Sequence, residues 1–164
     1  MTFRPPVPTL LTMSDYRIEK VRHPVELTLA SGVRLEGDIF LQAFARFKAG
    51  PEEPLDSLND AATFLPLALP SGELLLVQKS QIAIVAVALP QSDDPEDPGV
   101  IGMHVEIVFS SGESRTGSVF PELRADRPRL VDFLNHTPLH FLPLFAADHL
   151  LLISTAHIAY ARPG

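Results

Sequence analysis

The residues of this chain with the widest chemical range are its six histidines and the carboxylates near them. Four of the histidines, His136, His140, His149 and His157, fall late, with Asp132 and Asp148 close in sequence. Imidazole nitrogens and carboxylate oxygens are the donors a zinc-type site would use. The spacing points elsewhere, because Pro138 keeps His136 and His140 off one regular helical face. No carboxylate–histidine motif with metal-ligand spacing occurs, so the expectation is surface or turn histidines and no metal. Asp56 and Asp132 could serve as general bases. Each stands just ahead of an asparagine, Asn59 or Asn135, in a pattern that more commonly satisfies free backbone amides at a helical turn. No Gly-x-Ser-x-Gly, P-loop or dinucleotide fingerprint is present. With no cysteine there is no disulfide, thiolate ligand or cysteine nucleophile. No enzyme and no cofactor are expected.

The cations carry a second chemistry, contact with phosphate. Arg115, Arg124, Arg127 and Arg129 form the only basic concentration, and Glu122 and Asp126 dilute it. A solvated loop fits that mixture better than a nucleic-acid surface. The formal charge is −7, and four of the negative charges sit on Asp93, Asp94, Glu96 and Asp97 within a proline-containing stretch. A net negative field opposes phosphate backbones at long range without excluding a local basic patch.

The elements that must position these residues come in two copies. Val25-Glu26-Leu27-Thr28-Leu29-Ala30-Ser31-Gly32 aligns without gaps on Val105-Glu106-Ile107-Val108-Phe109-Ser110-Ser111-Gly112. The match runs on through Gly37 and Gly117 to Ile39-Phe40 and Val119-Phe120. It resumes with Asp56-Ser57-Leu58-Asn59 against Asp132-Phe133-Leu134-Asn135, then with Phe-Leu-Pro-Leu at 64–67 and again at 141–144. The last block sets Leu74-Leu75-Leu76-Val77 and Ile82-Ala83-Ile84 against Leu150-Leu151-Leu152-Ile153 and Ile158-Ala159-Tyr160. Five blocks in one order predict a tandem duplication.

Each block has a local reading. Val25, Leu27 and Leu29 alternate with polar residues, the period of a half-buried strand. Ser31-Gly32 and Ser111-Gly112 supply turns. A glycine inside the second strand costs up to ~1 kcal/mol against alanine, so its recurrence predicts a bend or bulge. The proline of Phe-Leu-Pro-Leu suits an edge strand or a strand end, and the last block reads as a hairpin. A short helix is expected near 41–50, where Leu41, Phe44, Ala45 and Phe47 fall near one face. The boundaries that follow are an N-terminal extension over 1–24, modules at 25–88 and 103–162, and an acidic, proline-rich linker at 89–102. Sixteen prolines against nine glycines punctuate these segments. The first six residues lack the pattern of a secretion signal, and the apolar stretch from Leu74 to Leu89 is broken by Gln78-Lys79-Ser80-Gln81. The expectation is a cytoplasmic protein without a membrane span.

In this order the strand ending in glycine, the mid-strand glycine, the Asp-to-Asn signature and the closing block resemble the Sm/LSm-like family. The chain is also similar to bacterial proteins of uncharacterised function. The resemblance implies a mostly β fold of two tandem Sm-like (SH3-like) bent five-stranded barrels with short helical insertions, and assembly into rings. Family members bind RNA through an Asp-x-x-Met-Asn segment and an Arg-Gly pair in the last block. Here the aspartate is one residue closer to Asn59 and Asn135, and the Arg-Gly positions hold Gln78-Lys79 and Ser154-Thr155. Serine and threonine cannot replace the planar charged guanidinium, so RNA binding by the usual surface is disfavoured. A divergent RNA contact would draw on Asn59, Lys79, Asn135, Arg124, Arg127 and Arg129. The leading expectation is a non-enzymatic binding or scaffold protein, a homo-oligomer through barrel edge strands or a binder of another protein. Closing strands with few charges leave edges that another chain can pair.

Overall fold

The computed structural model describes residues 7–13, 16–44, 50–89, 102–120 and 129–164. It is mostly β: eleven strands in one open sheet, antiparallel throughout. The first half supplies β1 (Val7–Met13), β2 (Tyr16–Leu29), β3 (Arg34–Gln42), helix α1 (Pro54–Asn59), β4 (Phe64–Ala68), β5 (Leu74–Gln78) and β6 (Ile82–Ala88). The second supplies β7 (Met103–Phe109), β8 (Ser114–Val119), helix α2 (Leu130–His136), β9 (Phe141–Phe145), β10 (His149–Ser154) and β11 (Ile158–Pro163). Across the sheet the order is β11-β7-β8-β9-β10-β6-β2-β3-β4-β5, with β1 pairing the start of β2. Each half therefore lays down its strands in the same sequence, its last strand flanking its first.

The local causes can be read from the residues. At the β2–β3 and β7–β8 turns, Gly32 and Gly112 adopt φ of 94° and 92°, where a side chain would be strained. The same two bonds close both turns: Leu29 N to Val33 O and Gly32 N to Leu29 O, matched by Phe109 N to Glu113 O and Gly112 N to Phe109 O. Gly37 and Gly117 are required by close approach. A Cβ on Gly37 would collide with the Ala68 carbonyl oxygen, and one on Gly117 would sit 2.7 Å from the Phe145 carbonyl oxygen. β3 meets β4 only at Asp38–Ala68, and β8 meets β9 only at Ser118–Phe145.

That narrow contact explains a departure from the sequence reading. Pro66 and Pro143 lie in β4 and β9, which are not edge strands in the sheet order. Neither proline has a partner on the β3 or β8 side, so the missing N–H breaks no ladder there. The closing block is not a hairpin either. β5 pairs with β4, whereas β6 pairs with β2 and β10. A 3-10 turn at Lys79–Gln81 carries the chain from one line of strands to the other, and Thr155–His157 does the same between β10 and β11.

Asp56 lies inside α1, where a reciprocal capping box links it to Glu53, with Pro54 at the first helical position. Asp132 lies inside α2. Over 41–50 the chain continues as strand to Gln42, and residues 45–49 lie outside the described residues. So does most of the linker, 90–101. The strand that opens the first half starts at Tyr16, earlier than the boundary at 25.

Two apolar clusters form the core, and neither belongs to one half. The first gathers Val25, Leu27, Ile39, Leu58, Leu65, Leu67, Val85 and Val87 and takes in Phe141 and Leu152 from the second half. The other gathers Val105, Ile107, Phe109, Val119, Leu142 and Leu144 and takes in Ala83 and Ile84 from the first.

Candidate interaction site

Of the residues singled out for ligand contact, Arg129 and Asn135 line one groove, and Asn59 and Lys79 lie apart from it. Lys79 is buried, and its ammonium donates to Ser57 O at 2.6 Å and to Asp60 Oδ1 at 2.5 Å. It ties the turn after β5 to the end of α1. Arg129 is exposed, with Nε 2.8 Å from Asp132 Oδ2 and a second guanidinium nitrogen 3.3 Å from Oδ1. That hydrogen-bonded guanidinium holds the Asp132 carboxyl below its ordinary range. Arg124 and Arg127 lie outside the described residues.

The histidines disperse. His136 Nδ1 is 2.8 Å from Asp132 O, His149 Nδ1 is 2.8 Å from Asp148 Oδ1, and His157 Nε2 is 2.6 Å from Ser80 O. Among the described residues no three histidines or carboxylates converge as a metal site would need.

Asn59 and Asn135 occupy matching helix positions and differ completely in surroundings. Asn59 reaches across to the second half. Its Oδ1 accepts from His140 N and Phe141 N, each at 3.0 Å, and its Nδ2 donates to Phe141 O at 3.2 Å. A side-chain amide can both accept and donate, so one asparagine satisfies the start of β9. Asn135 is exposed, and no hydrogen bond is made by its side chain among the described residues.

Asn59 belongs to a junction. β6 and β10 pair over five positions, from His149–Ala88 to Ile153–Ile84. Phe141 and Leu152 close into the first core cluster beside Leu58, Val85 and Val87. His157 reaches Ser80, and Arg34 meets Glu113 at 3.2 Å on the surface.

The sheet then ends, at β5 on one side and β11 on the other. β5 has no charged residue, and Phe64, Leu74 and Leu76 lie open around it. Phe64 is 51% exposed where Phe141 is 3%, and Leu76 is 65% exposed where Leu152 is 1%. On the opposite end Tyr160 is exposed where Ile84 is buried. Beside β11 lies a groove of about 430 Å³ lined by Arg129, Leu130, Val131, Leu134, Asn135, Ala161 and Pro163. The sequence reading places open edges in the closing blocks at 74–88 and 150–161; β5 and β11 do end the sheet, whereas β6 and β10 pair with each other inside it, and it foresees neither Phe64 nor the role of Asn59. The available signal was the pair of identical Phe-Leu-Pro-Leu blocks, each with a large apolar residue at its first position.

No helix among the described residues is long and apolar enough to cross a membrane. No protein-family model, curated protein or solved structure matches this chain.

Proposed function

We propose that this chain is a non-enzymatic scaffold, a tandem duplication of a small Sm-like barrel module that associates with itself through its sheet edges. The observation that carries the reading is the pair of open ends. β5 is uncharged and rimmed by exposed Phe64, Leu74 and Leu76, a surface that pairs with another strand unless something covers it. The common strand order of the halves supports the duplication, and the close approach at Gly37 and Gly117 supports a sharply bent second strand in each module. Of the positions proposed for a divergent RNA contact, Asn59 and Lys79 are engaged inside the protein and Arg129 is paired with Asp132, which weighs against those three as contacts.

The test is the solution mass by light scattering after size exclusion, with absorbance at 260 and 280 nm recorded together. A discrete oligomer free of nucleic acid is the expected result. A monomer at high concentration overturns self-association, and co-purifying nucleic acid restores the RNA alternative.

A further inference from the structure

We infer that Lys79 is a positioning residue for the junction within the chain: its buried ammonium sets the end of α1 so that Asn59 can clasp the second half. Self-association has no part in this, because every group concerned lies within one chain. Lys79 follows β5, and its backbone N–H donates to Thr63 O at 2.9 Å. Its Nζ donates to Ser57 O at 2.6 Å and to Asp60 Oδ1 at 2.5 Å. Those acceptors lie two residues before Asn59 and one after it. Asp60 Oδ1 also accepts from Ala62 N at 2.8 Å, so the chain leaving α1 is held on both sides of the asparagine. Burying an ammonium is costly unless acceptors meet it, and hydrogen bonds from a charged donor are the strong ones.

Between these anchors Asn59 makes all three of its bonds to the backbone of His140 and Phe141. Such bonds weaken steeply with misalignment, so the clasp is only as good as the placement of the helix end that carries it. The second half shows the contrast. Thr155 stands at the position of Lys79, and its N–H makes the same backbone bond, to His140 O at 2.9 Å. Its hydroxyl donates to that same oxygen at 3.2 Å and not to α2. The asparagine of that helix, Asn135, makes no side-chain hydrogen bond among the described residues. Lysine at the turn and the clasp on the helix therefore occur together in one half and not in the other. The first half must close its turn at Lys79–Gln81 onto α1 before α1 can hold β9.

The test is amide hydrogen exchange on the full chain, read at single residues. Lys79→Met keeps an apolar stem and removes the charge. Asp60→Asn keeps an acceptor oxygen and is the milder variant, which decides the matter if Lys79→Met does not fold. In Lys79→Met the amides of His140 and Phe141 are expected to exchange about tenfold faster or more, and in Asp60→Asn faster by a smaller factor. Gly112, in the same half but bonded to Phe109 O in the β7–β8 turn, should keep its rate. A general loss of stability would speed all three alike. In an Asn59→Ala background, where the clasp is already gone, either substitution should add nothing at His140 and Phe141. Unchanged exchange at His140 and Phe141, equal acceleration at Gly112, or independent effects that simply add to those of Asn59→Ala would each overturn the role of Lys79.

Discussion

β5 and β10 are built from nearly the same residues and meet different surroundings. Leu74-Leu75-Leu76-Val77 lies at the end of the sheet, with Leu76 among the most exposed apolar side chains of the described residues. Leu150-Leu151-Leu152-Ile153 lies between β9 and β6, with Leu152 inside the apolar cluster that Val25, Leu27 and Ile39 share. The same holds one strand earlier for Phe64 and Phe141. The difference is not in the strands but in what flanks them. Burial here is a property of the junction, and a residue pattern fixes only the capacity for it.

The comparison is broken most sharply by truncating both leucines. Leu152→Ala is expected to destabilise the fold by about 2–5 kcal/mol, the range for removing a core leucine. Leu76→Ala should cost little in dilute chain and instead weaken association; equal losses in urea-unfolding midpoints would show that the two strands are not in different states. Next come the asparagines. Asn59→Ala leaves the start of β9 without its amide partner and should cost about 1–3 kcal/mol, whereas Asn135→Ala should leave the unfolding midpoint of the dilute chain unchanged.

A smaller effect separates the halves by pH. Burial pushes the His23 imidazole below its ordinary value, with Asp38 opposing the shift in part. The unfolded chain therefore binds the proton more readily than the folded one. Stability should be full above about pH 6.5, the unfolded value, and fall as pH drops toward the lower folded value. His23→Gln should flatten that part of the profile in chemical-denaturation curves collected across pH; an unchanged slope would assign the acid sensitivity elsewhere. The smallest expected change is at Arg34, whose ion pair with Glu113 is solvent-exposed. Arg34→Ala should cost less than about 1 kcal/mol, and added salt should remove even that. A larger loss would give this surface contact a share in holding the junction.

Much of the architecture was legible because it rests on short-range constraints. Alternation marked β2 and β7, Ser-Gly marked the turns, and Asp56 to Asn59 marked a helical turn. What stayed hidden depends on neighbours distant in sequence. The strand after Lys79–Gln81 looks like a hairpin partner of β5 until its real partners, β2 and β10, are seen. Pro66 and Pro143 suggest an edge because residue type cannot reveal that one flank of a central strand is nearly unpaired. Lys79 reads as a surface cation until the α1 carbonyl and Asp60 that enclose it are placed. The two asparagines show the same limit, since matched positions can be a clasp in one half and solvent-facing in the other.

The exchange of side chains between the two apolar clusters has a consequence for how the molecule comes apart. Phe141 and Leu152 complete one cluster, and Ala83 and Ile84 complete the other, so melting either half strips the other of part of its filling. Heat or urea should therefore produce one cooperative transition whose steepness reports the surface of both halves together. For the same reason, cleaving a peptide bond between 90 and 101 should leave two fragments that migrate as one particle.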